Sequence, residues 1–562
     1  WIRDQFITRG YLSNVSPVIH FGLGNRKTID SLIIRWADGK TEKRTNVATN
    51  NTVTLRHSDA KKVQKKSVPN TPTLFKQIQN PFDHKDQKAK VLDFNRQKLL
   101  HYQPSFTGPA MTTTDLNNDG LKDIIIGGGQ NQTTSVWLQG RKGNFNKKEI
   151  QAFAAFKNYV DTAVTPIDVN NDGFMDLYIS SGGYHDLPPG DTKLQDRIYL
   201  NNGQADFKYA PNALPENLAV TSIVKATDVN MDGATDLFVG GGIVPGAYPE
   251  RYNNLLLINN GEGRFENQTQ NNMAAFQNHP GIVRDAIWTD FNNDQWPDLL
   301  VVGEWMAPTL LINQKGKLEI NNDKLPINLQ SGWYNTVESW DFNADGFPDY
   351  VLGNEGLNTQ YQIDEDSPVE IVYGDFDNNE SVDPIIQYEI KGTAYPMAPR
   401  DEILNQLTYL KSKYPSYRSY SDQTVEDIFT PKQLKDAKTL SARGMETGIL
   451  LSQPEGNYEF KPLSGSAQFS PVCKIVIDDF NKDGDMDLLL AGNRTKMAIK
   501  LGRYDTNRGF VYFGNGKGTF EEVPQRFTGL SLEGDVRGAV KINGMWLFGI
   551  HGESLKTYRL SK

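Results

Sequence analysis

The sequence predicts an all-β fold: a seven- to eight-bladed β-propeller with acidic loops, a small N-terminal β domain and a helical insertion. Three observations predict it. An acidic pattern recurs seven times, each copy is flanked by β-prone runs, and glycine is abundant (49 residues) while the apolar content is low at 38%. Such a composition suits many short strands and tight turns better than one helical core.

The first copy of the pattern reads DLNNDGLKDIIIGGG, residues 115–129, with acidic or amide side chains at positions 1, 3, 5 and 9 and Gly120 at position 6. Six further copies begin at Asp168, Asp228, Asp290, Asp341, Asp375 and Asp479. One copy would be weak, since acidic turns arise without metal through side-chain to backbone hydrogen bonds. Seven copies with one spacing imply a repeat.

The chemistry of the spacing points to calcium, a hard cation that takes six to eight oxygens at about 2.3–2.6 Å. Side chains at positions 1, 3, 5 and 9 and the carbonyl at position 7 supply oxygens only, which disfavours zinc and copper. The candidate ligands are Asp115, Asn117, Asp119, Leu121 and Asp123; Asp168, Asn170, Asp172, Phe174 and Asp176; and Asp228, Asn230, Asp232, Ala234 and Asp236. The later copies add Asp290, Asn292, Asp294, Trp296 and Asp298; Asp341, Asn343, Asp345, Phe347 and Asp349; Asp375, Asp377, Asn379, Ser381 and Asp383; and Asp479, Asn481, Asp483, Asp485 and Asp487. Several Ca²⁺ ions, up to seven, are therefore expected as the cofactor. Seven would carry the formal net charge from −9 to about +5. In the fourth and sixth copies Gln295 and Glu380 replace the glycine, and Asn379 replaces an aspartate in the sixth. The sixth is expected to be the weakest site, and the seventh, with its extra Asp485 carboxylate, among the tighter ones.

Each loop joins two strands. Runs such as YVDTAVTPI alternate before it, and bursts such as DIIIGGG or DLLLAGN follow it. Segments such as RIYLNNGQADF then supply a third strand, an Asn-Gly turn and a fourth strand. Four short antiparallel strands make a propeller blade. The copies start 53, 60, 62, 51, 34 and 104 residues apart. The 34-residue gap predicts a trimmed blade, and the 104-residue gap an insertion at residues 391–445, where Ile403, Leu404, Leu407 and Leu410 share a helical face. ILLSQPEGNYEF then resumes the interrupted blade. The tail from residue 535 lacks acidic ligands and reads as an eighth blade completed by TLFKQI at 73–78, so eight blades are expected, with seven if the tail merges into a neighbour.

The expected domains are residues 1–58, a β domain; 59–72, a linker; and 73–562, the propeller containing the insertion. The opening WIRDQFITRGYLS reads as an entry into the middle of a domain, so a longer protein is expected, with any export signal outside this chain. The single Cys473 permits no disulfide framework, no run is long and apolar enough to span a membrane, and a net charge of −9 without basic runs argues against nucleic acid.

The seven acidic loops resemble those of FG-GAP or VCBS-repeat propellers, related to the integrin α-subunit head. HFGLG and IRWADGK, within residues 9–55, resemble the ASPIC/UnbV domain found beside such propellers in cartilage acidic protein and its Bacteroidota relatives. The resemblance implies an extracellular or cell-surface location, associated with the outer membrane.

No catalytic motif is present. His20, His57, His84, His101, His185, His279 and His551 are scattered, and His20 is expected to be packed or hydrogen-bonded in the small domain. Trp288, Trp296, Trp305, Trp333, Tyr334 and Trp340 offer a ligand platform on the ring, with packing between blades the preferred reading. Tyr409, Tyr414, Tyr417 and Tyr420 in the insertion offer a partner surface. The expected function is non-enzymatic: calcium-dependent protein or glycan binding at the cell surface, as an adhesive protein or an accessory subunit of an outer-membrane complex. The alternatives are a spacer and a polysaccharide lyase or hydrolase. An enzyme would show His, Arg, Tyr and non-loop acids converging on the central channel.

Overall fold

A computed structural model describes the chain except for residues 1, 7–9, 63–71, 88–89, 185–186, 362, 364–365 and 562. His185 and most of the expected linker lie outside the described residues. The chain divides into two compact units, Trp1–Thr71 and Pro72–Lys562.

In the first unit, strands Thr28–Arg35 and Lys40–Ala48 form a hairpin, and Lys61–Lys62 adds a third strand. The turn of IRWADGK closes through Gly39, which bonds back to the Trp36 carbonyl with φ near +84°. The sheet thus runs past the expected boundary at residue 58. His20 is exposed here rather than packed.

The second unit is a propeller. Its first blade comprises Met111–Thr114, Asp123–Ile126, Ser135–Gln139 and Phe145–Lys148. Five more blades begin at Asp161–Ile167, Thr221–Thr227, Ile282–Thr289, Thr336–Trp340 and Val472–Asp478. The seventh is Val536–Ile542, Met545–Ile550 and Lys556–Leu560, and Phe75–Ile78 pairs with its third strand, Leu560 opposite Phe75. The two ends of the unit therefore share one sheet. The first strands of these seven blades lie side by side in a closed circuit, the seventh against the first. Second strands such as Ile124–Ile126 and Leu177–Ile179 are wholly buried, because a blade is covered on both faces by its neighbours.

The ring corrects the expectation of eight blades. The sixth acidic motif belongs to no trimmed blade; it joins Val369–Gly374 to Asp383–Ile390 in a separate four-stranded sheet completed by Thr393–Pro396 and Lys438–Ala442. That sheet and the helices Arg400–Gln406, Val425–Ile428 and Pro431–Lys435 are inserted between the second and third strands of the fifth blade, Asp349–Gly353 and Gly448–Gln453. The insertion is thus residues 354–447, and its helices are its second half. Thr424 and Thr430 cap the last two helices through reciprocal hydrogen bonds with Asp427 and Gln433. Tyr414 and Tyr420 are buried in the insertion's own core with Ile403, Leu407 and Leu99, whereas Tyr409 and Tyr417 are exposed.

Residues 79–110 lead from the closing strand to the first blade. His84 on this segment packs edge-on against Trp137, and burial, with Lys147 nearby, lowers its pKa to about 4. A histidine whose pKa falls on folding contributes stability above about 6.5 that is lost as the pH falls toward 4. In urea unfolding, His84→Phe should therefore gain roughly 2–3 kcal/mol on the wild type between pH 7 and pH 4.5. Parallel pH profiles for the two proteins would reject this account.

Candidate functional site

The first and second strands of a blade are antiparallel and joined by the acidic loop. Six acidic loops therefore lie on one face of the ring, and the connections between second and third strands lie on the other. The sixth loop, at Asp375, sits in the inserted sheet.

All seven loops fold alike. The position 1 carboxylate accepts the backbone N–H groups of positions 5 and 6, as Asp115 does from Asp119 and Gly120 at 3.2 and 2.7 Å. The position 5 side chain accepts the N–H of position 7, as in Asp119 with Leu121 or Asn379 with Ser381. In six of the loops the position 3 amide donates to position 5, as Asn230 does to Asp232 at 2.8 Å. Two positions are left-handed. Position 6 has φ of +82° at Gly120, and Gln295 and Glu380 adopt the same region at +72° and +65°. Position 4, which sequence reasoning missed, runs from +55° to +64°, and asparagine, tolerant of that region, fills it at Asn118, Asn171, Asn293 and Asn378.

Position 9, an expected ligand, also anchors the loop. Asp123, Asp176, Asp236, Asp298, Asp349, Asp383 and Asp487 are fully buried. One oxygen of each accepts the N–H of position 2 at 2.7–3.1 Å. The other accepts from the third strand, as Asp176 does from Asn201 at 2.6 Å. For Asp383 that donor is the Gln406 side chain on the inserted helix. These carboxylates pin loop to blade. Burial raises Asp123, Asp176, Asp236, Asp298 and Asp383 to about 6, and Asp349 and Asp487 upward as well.

The donor set suits a hard cation, and two buried acceptors are left over. Asn117 Oδ1 and Asp377 Oδ1 have no hydrogen-bond partner. In the sixth loop, oxygens of Asp375, Asp377 and Asp383 come within 4.8 Å of one another. Asp377 stands where the other loops carry an amide, so the charge lost at Asn379 is restored there.

A second signal hid in the turns after the third strand, NNG at 201 and 259 and NQKG at 313. The asparagine ending the third strand reaches into the preceding blade: Asn201, Asn259 and Asn313 donate to the carbonyls of Leu116, Val169 and Val229 at 2.8–2.9 Å, and also to their own blade. Each ties two adjacent acidic loops together. Asn259→Ala leaves the Val169 and Thr235 carbonyls without this donor and should cost about 1–3 kcal/mol in urea unfolding. A cost within error of zero would show that the bridge is idle.

On the opposite face the inserted sheet covers the ring. Val369, Ile371 and Ala442 pack with Tyr102, Tyr248, Trp305 and Trp333 in one buried cluster. Trp305, Trp333 and Tyr334 are at most 2% exposed, so they form no open platform, while Trp340 is half-exposed away from them. Trp305 has φ of +64°, a costly conformation for a buried aromatic, and its indole N–H donates to Tyr248 Oη at 2.6 Å. Charged groups lie within this cluster. Glu304 accepts from Tyr102 Oη at 2.8 Å and from Tyr248 Oη, and Arg284 Nη2 lies 2.5 Å away. Arg494 pairs with Glu355 at 2.9 Å and lies over the Tyr102 ring. Burial alone pushes Glu304 up, but Arg284, with His101 and Arg494, overcomes it and holds the carboxyl at about 2. His101, wholly buried between these rings, is lowered to about 3 chiefly by burial.

Family profiles match at residues 1–62 (ASPIC and UnbV) and at residues 115–179, 228–301 and 290–352 (FG-GAP-like repeat). Integrin alpha-V of Gallus gallus is 27% identical over 160 residues, which is 24% of this chain and 15% of that relative, so the chain spans a small part of its length. Among solved structures, YCF48 bound to D1 peptide aligns over 82% of this chain and 96% of its own at 9% identity and a TM-score of 0.37. Saccharomyces cerevisiae Sqt1 aligns over 82% and 98% at 12% identity and a TM-score of 0.36.

Proposed function

We propose that this chain, which carries FG-GAP-like repeats beside an ASPIC/UnbV domain, is a calcium-stapled binding propeller of the cell surface or extracellular space, with a protein as its partner and no catalytic role. FG-GAP-like repeats form a propeller-type protein-binding fold, and their likeness to integrin supports a surface setting. No helix among the described residues is long and apolar enough to cross a membrane. A glycan partner or an outer-membrane complex fits the same surface chemistry.

The observation that carries the calcium reading is the all-oxygen loop repeated seven times with buried acceptors left over at Asn117 and Asp377. Side chains at positions 1, 3, 5 and 9 and the carbonyl at position 7 would hold the ion, and position 9 also fixes the loop that presents them. Bound calcium would neutralise the clustered carboxylates. Calorimetric titration of the chelator-treated chain should show several equivalents, up to seven, and Asp375→Asn with Asp377→Asn should remove one. No heat of binding would overturn the reading.

A second reading, a polysaccharide-acting enzyme, has one observation in its favour: Glu304, Arg284, Tyr102 and His101 do converge on the channel end. Both Glu304 oxygens are already engaged and the group is buried, which favours structure over catalysis. Release of reducing ends from a uronic-acid polysaccharide, lost in Glu304→Gln, would reverse that preference.

A further inference from the structure

First strands of six blades, with Asn335 just before that of the fifth, line a cavity of about 350 Å³, within the ~300–1,000 Å³ range of small-molecule sites. Its wall includes Thr162–Thr165 and Thr221–Lys225, and one end is formed by the segment carrying Tyr102 and Phe106. The chain as a whole is acidic, with a net charge of −9, yet the cavity is not. Six cationic side chains line it, Lys225, Arg284, Lys474, Arg494, Lys496 and Arg537, against two acids, Asp285 and Asp535.

Four of the six cations have acidic partners. Lys225 bonds Asp285 at 2.9 Å, Arg284 bonds Glu304, Arg494 bonds Glu355 and Arg537 lies 3.6 Å from Asp535. Lys474 and Lys496 have no ion pair among the described residues. Lys474 is half-buried on the strand Val472–Asp478; Asp285 and Glu338 are near enough to feel its charge but neither bonds it. Two polar atoms on the same wall are also without partners. Asn335 accepts from Arg494 through Oδ1 at 3.1 Å, which fixes its amide so that the buried Nδ2 is a donor with no acceptor; Thr107 Oγ1 is likewise buried and unpaired. An unmet buried donor costs about 1–3 kcal/mol. A cationic wall with spare N–H groups in a recessed, low-dielectric space is matched by an oxyanion.

We infer that the central cavity is a binding site for a small molecule bearing an oxyanion, a carboxylate or a phosphate, held by Lys474 and the Asn335 amide. This is independent of the calcium loops, which lie at the ends of the strands rather than along their inner faces. The alternative, that the charges only brace the ring and water fills the cavity, predicts no saturable anion binding.

Calorimetry on the full chain at fixed ionic strength tests it with three probes: galacturonate, its neutral counterpart galactose, and inorganic phosphate. One equivalent of galacturonate or phosphate should bind, galactose should not, and added salt should weaken the binding. Lys474→Gln should weaken it at least tenfold, Lys474→Arg should retain it, and Lys208→Gln on an outer strand should leave it unchanged, with melting curves confirming that each variant folds. Preference for galacturonate would identify a carboxylated sugar, and preference for phosphate a phosphate ester. Failure of both anions to saturate the wild type, or wild-type affinity in Lys474→Gln, would overturn the inference while leaving the calcium titration untouched.

Discussion

Chelating calcium should lower the melting temperature and the urea midpoint more than any single substitution. A site held at 100 times its dissociation constant stabilises the folded chain by about 2.7 kcal/mol, so two or three such sites match the ~5–15 kcal/mol net stability of an ordinary domain. The effect should also reverse the pH dependence. In chelator, the buried position 9 carboxyls have pKa values near 6, raised by burial. A carboxyl raised in this way contributes stability that is full below about 3.8 and is lost as the pH rises through 6. These groups therefore favour the folded state as the metal-free protein is acidified. With calcium present the sign changes, because protons then compete with the ion for the loop carboxylates. Melting scans at pH 5 and pH 7, each with calcium and with chelator, read both effects. Equal melting temperatures with and without calcium would mean that hydrogen bonds such as those from Asp119 and Gly120 to Asp115 suffice to hold the loops.

The parts of this architecture that sequence reveals are those that neighbouring residues encode. A hairpin needs an alternating run, a turn with left-handed positions and an apolar run, all within about twenty residues, so strands such as Asp161–Ile167 and Asp176–Ser181 were legible. The closing strand at Phe75–Ile78 was legible because the tail supplied three strands and needed a fourth. Ring membership was not. The motif at Asp375 builds the same hairpin as the others, but Val369–Gly374 finds its second partner in Lys438–Ala442, within the insertion, and that choice depends on residues some seventy positions away. Legibility fails for the same reason at the covered end of the channel, where Tyr102 meets Glu304 from 202 positions off. No local pattern announces a buried charge that is neutralised from elsewhere in the chain. The asparagines at 201, 259 and 313 were visible as turn residues, but their reach into the preceding blade follows from ring closure, not from the turn.

That buried charge gives the second large effect. Arg284→Met removes the one cation bonded to Glu304 and keeps an apolar side chain of similar length, so Glu304 is left buried with only hydroxyl donors and a neutral His101. Breaking a buried pair from one side typically costs about 3–5 kcal/mol, because the remaining charge keeps its desolvation penalty. Without Arg284, burial should push Glu304 upward, so the variant should regain part of its stability as the pH is lowered. Arg284→Met combined with Glu304→Gln removes the charge as well and should recover most of the loss, since a neutral amide can still engage Tyr102 and Tyr248. Urea unfolding of the two single variants and the double variant completes a cycle. A double variant no more stable than Arg284→Met would show that the packing of the arginine stem, not neutralisation of Glu304, holds this end of the ring. Recovery in the double variant would establish Glu304 as the charge around which the inserted sheet, the segment carrying Tyr102 and the fourth blade are assembled.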